Sequence, residues 1–147
     1  MLNLQITVNG KEKVIADLEN LSGRAKNLRP AFKVAGLFIM ESTQRTFMAG
    51  GRPERWAPLS AATLKRRGAG ARILRDTGLL MTSIGRPSGN GIFSLKPFEL
   101  RVGTNVPYAA KHQLGIGVPK REFLLLLPED AEKIVKVFTE HIAGDKS

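Results

Sequence analysis

The sequence of 147 residues predicts one α+β domain, in which a small, mainly antiparallel sheet of three or four strands packs with two or three helices. Three observations lead to this fold class. The length suits a single hydrophobic core. Apolar and polar residues alternate at the N-terminus and around residue 97, as in half-buried strands, and apolar stripes at helical spacing fill much of the remaining chain.

The N-terminal segment predicts a strand and then a helix. From Leu2 to Val8 every second residue is apolar, which indicates a strand with one buried face, and the turn pair Asn9-Gly10 follows it. Beyond this turn, apolar residues recur every three or four positions. They predict an amphipathic helix from about Glu12 to Leu28.

A second helix is predicted from Pro30 to about Met48, because proline is favourable in a first helical turn. Its apolar residues cover more than one face of the helix. Such a helix lies either at the centre of the core or against a neighbouring subunit. The central position is the more common of the two.

The segment from Ala49 to Arg75 is predicted to be a long basic excursion from the core. Within it, Ser60 is placed to cap a short helix from Ala61 to Arg67. Glycines and alanines follow between arginines and predict a mobile loop with too little apolar content to pack by itself. Long excursions in compact domains are usually functional or disordered.

The region after this loop predicts a short helix and a hairpin. Asp76 is placed to cap a helix from Thr77 to Ile84. The alternating segments 92–95 and 98–102 predict two antiparallel strands joined near Lys96-Pro97.

The C-terminal third predicts two further helices. The first is short and runs from Pro107 to Leu114. The apolar run Phe123 to Leu127 is either a buried strand or the lead-in to the last helix. That last helix starts at Pro128-Glu129-Asp130, where the acids suit the positive end of the helix dipole, and Gly144 ends it.

The net charge of +10 is concentrated in one stretch. Residues 43–75 hold eight cations and the single acid Glu54, a net charge of +7. Arginines on a loop suit either acidic side chains of a protein partner or the phosphates of DNA, and we favour a protein partner over DNA. The candidate contact residues are Arg52, Arg55, Lys65, Arg66, Arg67, Arg72 and Arg75.

The residue types for catalysis or metal binding are missing or explained otherwise. The chain has no cysteine, which excludes disulfides, thiolate catalysis and cysteine zinc sites. His112 and His141 lie in separate elements without a metal-binding spacing, and His112 is expected to be a buried hydrogen-bonding residue. Helix capping accounts for the acidic pair Glu129-Asp130. We therefore expect no catalytic residue, cofactor or metal, and no enzyme.

The chain is expected to be soluble and intracellular. Its N-terminus alternates, whereas a signal peptide has a continuous apolar core. Its longest apolar runs fall well short of the roughly 18 residues that cross a bilayer. We expect no contact with a membrane.

Five short motifs follow one another between Phe47 and Val137, a stretch that makes up about two thirds of the chain. They are Gly51-Arg52-Pro53 with Trp56, Ile73-Leu74-Arg75-Asp76-Thr77-Gly78, Val102-Gly103-Thr104-Asn105 with Pro107-Tyr108, His112-Gln113-Leu114-Gly115 and Arg121-Glu122-Phe123-Leu124. In this order and spacing they resemble the phage virion morphogenesis family, also called the tail completion family, of Mu-like and P2-like tailed bacteriophages.

The resemblance implies a structural, non-enzymatic protein of the virion. It implies a subunit at the head-to-tail junction that caps the tail tube or joins it to the head as a ring. Six copies are expected from the symmetry of tails. The implied partners are other copies and neighbouring neck, connector or tail tube proteins, with packaged DNA as a further contact. The alternative is a basic DNA-binding protein without sequence specificity.

We expect structural roles for the motif residues. Asp76 would cap a helix, and Gly78 and Gly103 would relieve backbone crowding. Asn105 and Pro107 would form a turn that places Tyr108 and His112 against the core.

Overall fold

The structure is a computed structural model that describes residues 2–7, 23–86 and 89–144. It contains a three-stranded antiparallel sheet with strands β1 (Leu2–Thr7), β2 (Gly91–Lys96) and β3 (Glu99–Thr104) in the order β1-β3-β2. Five α-helices accompany the sheet in these residues: α1 (Arg29–Ala49), α2 (Ala61–Arg67), α3 (Leu79–Ser83), α4 (Ala109–Leu114) and α5 (Pro128–Ala143). The predicted α+β class is confirmed.

The sheet is built around β3, which pairs with both other strands. The predicted hairpin is present, with Lys96 opposite Glu99 and a tight turn between them. On the other side of β3, Gly103 lies opposite Asn3, and a Cβ at residue 103 would overlap the Asn3 backbone. Gly103 therefore relieves crowding, as predicted. Gly78 serves another purpose, because its surroundings are open and its φ of +77° is what favours glycine there.

Helix α1 is the central helix of the core. It packs on β2, β3 and α5, and it buries Phe32, Ile39 and Phe47 completely or nearly so. Gly36 on the same face lies so close to the ring of Phe93 that a side chain there would displace it. Of the two predicted positions for this helix, the structure therefore shows the central one. Leu37 on the other side is 52% exposed.

Helix α5 forms as predicted. It begins at Pro128 and ends at Gly144, whose φ of 78° is left-handed. Its apolar face packs on α1, where the rings of Phe32 and Phe138 meet edge to face with centroids 4.9 Å apart. The carboxylate of Asp130 accepts the backbone N–H of Leu127 and so closes the first turn.

The apolar run Phe123 to Leu127 is the lead-in to α5 and not a strand. The side-chain amide of Gln113 takes the place of a strand partner. Its Oε1 accepts the N–H groups of Phe123 and Leu124, each at 3.1 Å, and its Nε2 donates to the Leu124 carbonyl at 2.7 Å. Three backbone polar groups of the buried residues Phe123 and Leu124 are thereby satisfied.

The predicted helix from Glu12 to Leu28 and the turn Asn9-Gly10 lie mostly outside the described residues. The described end of that helix is a 3-10 turn, Gly23–Lys26. Arg24 in this turn donates to the carbonyls of Ile142 and Ala143, both at 3.2 Å, and so binds the C-terminus of α5.

The segment 49–75 is not an excursion throughout, contrary to the prediction. Trp56 is buried, its ring meets Phe47 edge to face, and its Nε1 donates to the Glu122 carbonyl at 3.1 Å. Ile73 and Leu74 pack against the core as well. A few apolar residues therefore pack both ends of the segment against the core. Helix α2 lies between these two ends; Ser60 caps it as predicted, and it buries no residue.

Two predicted roles near the following helices are wrong. Gly78, not Asp76, is the N-cap of α3, and the Thr77 hydroxyl accepts the N–H of Leu79 at 3.2 Å. Tyr108 does not face the core but is 41% exposed, since the turn before α4 directs Val106 and Ala109 inward. In both cases the fold uses a neighbour of the predicted residue: Gly78 is the N-cap in place of Asp76, and Val106 and Ala109 enter the core in place of Tyr108.

Candidate functional site

A cleft of about 700 Å³, here called the main cleft, lies between the basic segment and the region around α4. One wall comes from residues 58–67, another from residues 74–79, and the third from residues 108–121. Apolar side chains of Leu59, Leu74 and Leu79 line it together with the cations Arg66, Arg67 and Arg121. The cleft therefore combines positive charge with apolar surface.

Arg121 is the buried cation of this cleft, with only 7% of its surface exposed. Its Nε donates to the Ala57 carbonyl at 3.1 Å and its Nη2 to the Pro58 carbonyl at 3.0 Å. In the described part of the chain no carboxylate comes within ion-pair distance, and Nη1 has no acceptor. Burial lowers the pKa of the guanidinium. Two carbonyl dipoles thus stabilise a charge that no carboxylate of the described residues neutralises.

His112 lies beside this arginine on α4. Its ring meets the Tyr108 ring edge to face, with centroids 6.2 Å apart. The backbone N–H of Arg121 donates to the His112 carbonyl at 2.8 Å. The imidazole Nδ1 is buried and finds no partner among the residues that are described, so the expected hydrogen-bonding role is not seen. Burial, and secondarily the charge of Arg121, lower the pKa of His112. The folded chain therefore binds a proton on this ring less readily than a free imidazole does.

The opposite wall holds two arginines of α2, of which one is paired and the other is exposed. Arg67 forms an ion pair with Asp76, with Nε and Oδ1 3.1 Å apart, and also donates to the Arg72 carbonyl at 3.0 Å. Arg66 is exposed at the rim of the cleft. The cleft thus holds three cations against the one carboxylate of Asp76.

The seven candidate contact residues do not form one patch. Arg66 and Arg67 line the main cleft, whereas Arg52 and Arg55 line a smaller one of about 260 Å³. Arg75 donates from Nη1 to the sulfur of Met48 at 3.0 Å. Lys65 and Arg72 are exposed and line neither cleft. Whether these residues contact a partner stays a prediction.

Arg52 is part of a buried polar network. Its Nη2 donates to the hydroxyl and the carbonyl of Ser42 at 2.6 and 3.1 Å, and its Nε to the Thr46 hydroxyl at 3.2 Å. The Ser42 hydroxyl in turn donates to Asp130 Oδ2 at 2.5 Å, and Arg45 lies 3.6 Å from Oδ1. This network joins α1, the turn after it and α5. Arg52 is therefore held inside the fold.

Sequence reasoning missed Arg121 as a site residue because it lies outside the basic stretch. The available signal was local: Arg121 lies two residues before Phe123, the first residue of the apolar run 123–127. The run also brings Lys120 and Glu122 to the smaller cleft, beside Arg55.

Residues that could hold a metal are not grouped anywhere in the described residues. No helix within them is long and apolar enough to cross a membrane. The cleft brings together arginines and apolar side chains, which is the chemistry of a binding surface.

The chain belongs to the phage virion morphogenesis family, whose model matches residues 10–143. It is also similar to the "Mu-like prophage FluMu G protein 2" of Haemophilus influenzae. The two are 30% identical over 141 residues, which is 90% of this chain and 91% of that protein. No solved structure matches the chain. Family membership assigns the chain a structural role in the morphogenesis of a phage particle.

Proposed function

We propose that the chain is a tail completion subunit, which acts as a ring of copies that caps the tail tube and joins it to the head. Its membership of the virion morphogenesis family carries this proposal. The similarity to a Mu-like prophage protein supports it, because that relative is matched over nearly its whole length.

The sheet offers a means to form such a ring. Strands β1 and β2 lie at its two edges, and within the described residues the outer edge of each pairs with no other strand. Exposed edge strands are templates for pairing with another chain. Leu37 and Val34 add exposed apolar surface on α1. Copies that join head to tail through different surfaces close into a ring when the rotation between them allows it.

The test is the oligomeric state combined with a phage assembly assay. We expect sedimentation and electron microscopy of the purified chain, or of its complex with tail tubes, to show rings of six copies. A phage that lacks this protein should produce heads and tails that remain separate, or tails of abnormal length. Joined particles with normal tails in its absence would contradict the proposal.

The second candidate is a DNA-binding protein without sequence specificity, which the concentrated charge of residues 43–75 favours. Binding to a duplex should then weaken steeply with salt. Replacing Arg66, Arg67, Arg72 and Arg75 by alanine should flatten that salt dependence. A duplex affinity that these four substitutions leave unchanged would exclude this function for the basic segment.

A further inference from the structure

The main cleft holds a buried cation whose charge the described residues do not neutralise. Arg121 has two backbone carbonyls on Nε and Nη2, while Nη1 keeps unused donors. A buried charge is costly unless it is paired, so an arginine in this position favours an anion that binds to it. Arg66 stands exposed on the opposite wall of the same cleft and adds a second positive charge.

We propose that this cleft binds an acidic peptide segment of another protein, with one carboxylate on Arg121 and Arg66 and apolar neighbours against the cleft walls. Nη1 and the second hydrogen of Nη2 remain available on Arg121, and this end of the guanidinium can donate two parallel hydrogen bonds to the two oxygens of a carboxylate. This inference rests on the proposed function only for the origin of the acidic segment, which would belong to another protein of the assembled particle.

The shape and lining of the cleft favour a peptide over nucleic acid. A volume of about 700 Å³ lies in the range of pockets that enclose a short ligand. The walls carry Leu59, Leu74, Leu79 and Val118, which match apolar side chains on either side of an acidic one. A DNA duplex presents its phosphates on a broad convex surface and would reach the rim but not the buried Arg121.

Asp76 competes with the incoming carboxylate. It neutralises Arg67, with Nε and Oδ1 3.1 Å apart, and three quarters of its own side chain is exposed. Replacing it with asparagine would free the charge of Arg67 and remove a like charge from the path of an acidic ligand. The Asp76→Asn variant should therefore bind the segment more tightly, a gain that misfolding cannot produce.

The experiment uses the full chain and a fluorescein-labelled peptide, Gly-Leu-Glu-Leu-Glu-Leu-Gly, with binding measured by fluorescence anisotropy. We expect the same peptide with glutamine in place of glutamate to bind about tenfold more weakly, as for the loss of a charged hydrogen bond. Arg66→Gln should weaken binding about threefold to tenfold, and Arg121→Lys about tenfold, because lysine keeps the charge but not the fork.

The matched control is Arg55→Gln, an exposed arginine of the same basic segment that does not line this cleft. It should change the affinity less than about twofold, whereas Asp76→Asn should raise it at least about twofold. Equal losses in Arg55→Gln and Arg66→Gln would overturn the proposal, because only general attraction would remain. Equal binding of the glutamine peptide would do the same.

Two further outcomes would assign the cleft to another occupant and so overturn the proposal. In the first, a short random-sequence duplex displaces the peptide, and its own affinity depends on Arg121 as well as on Arg66. In the second, the acidic peptide does not bind, but Arg121→Lys reduces self-association in sedimentation experiments. Ring formation is measured separately, so failure of peptide binding and failure of the proposed function can be told apart.

Discussion

Asp130→Ala should destabilise the fold strongly, because this buried carboxylate joins α5 to α1. Asp130 is 1% exposed and accepts hydrogen bonds from the Ser42 hydroxyl at 2.5 Å and the Leu127 N–H at 3.2 Å. Arg45 adds an ion pair at 3.6 Å. Both hydrogen bonds go to Oδ2, so the alanine variant removes their common acceptor and leaves both donors without a partner.

The expected magnitude follows from these contacts. Each hydrogen bond to a charged group contributes about 1.5–3 kcal/mol, so two of them give about 3–6 kcal/mol. Part of this loss is recovered, because Arg45 is nearly half exposed and can be solvated by water after the carboxylate is gone. We therefore expect the free energy of unfolding to fall by about 4 kcal/mol. Asp130→Asn keeps one acceptor and should cost about 2 kcal/mol.

The assay is urea unfolding followed by circular dichroism, with the m-value checked for each variant. Glu132→Ala, an exposed acid of the same helix, is the matched control and should stay within about 0.5 kcal/mol of the parent chain. A double-mutant cycle with Ser42→Ala should give a coupling of about 1 kcal/mol or more. A loss below about 1 kcal/mol for Asp130→Ala would refute the network as described.

Three further outcomes are expected. Gly103→Ala should cost about 1–3 kcal/mol, because its Cβ would overlap the neighbouring strand, whereas Gly70→Ala in open space should be near neutral in the same urea assay. Gln113→Ala should cost about 3 kcal/mol through three lost hydrogen bonds to the segment before α5, against less than about 0.5 kcal/mol for the exposed Gln44→Ala. Because the pKa of His112 is lowered on folding, the unfolded chain binds a proton first as the pH falls through 6.5, so stability decreases below that pH. His112→Gln should remove that part of the decrease in unfolding curves from pH 7.5 to pH 5, and an unchanged pH dependence would contradict the assigned burial.

The elements that depend on local signals could be predicted from the sequence. Alternation predicted β1 and the hairpin, and helical periodicity with Pro30, Pro128 and Gly144 predicted the two long helices and three of their ends. These signals act between residues a few positions apart. They therefore do not require knowledge of what the chain packs against.

The N-terminus of α3 shows where local signals are insufficient. Asp76 and Thr77 are both good capping residues, and their order in the chain does not decide between them. In the fold, Arg67 pairs with Asp76, Gly78 is the N-cap, and the Thr77 hydroxyl accepts the N–H of Leu79. Asp76 therefore forms an ion pair with a residue of another helix and does not cap α3.

The basic segment shows that local signals are also insufficient to predict the candidate site. Its composition indicated a loop without a core of its own, yet Trp56, Ile73 and Leu74 reach the core of the rest of the chain. Arg52 is likewise drawn into the network around Ser42. Whether an apolar residue in a loop finds a partner depends on residues that are far away in sequence.

The sequence by itself determined the fold class, the order of the described elements, the family and the concentration of charge in residues 43–75, because all of these follow from residue order and short-range pattern. Only the tertiary structure decided which of those charges are free. It turned Arg52 inward, paired Arg67 with Asp76, and placed Arg121 from another part of the chain in the cleft with Arg66. The physical reason is that the free energy of a charge depends on its burial and its nearest counter-ion, and both are set by residues far apart in sequence.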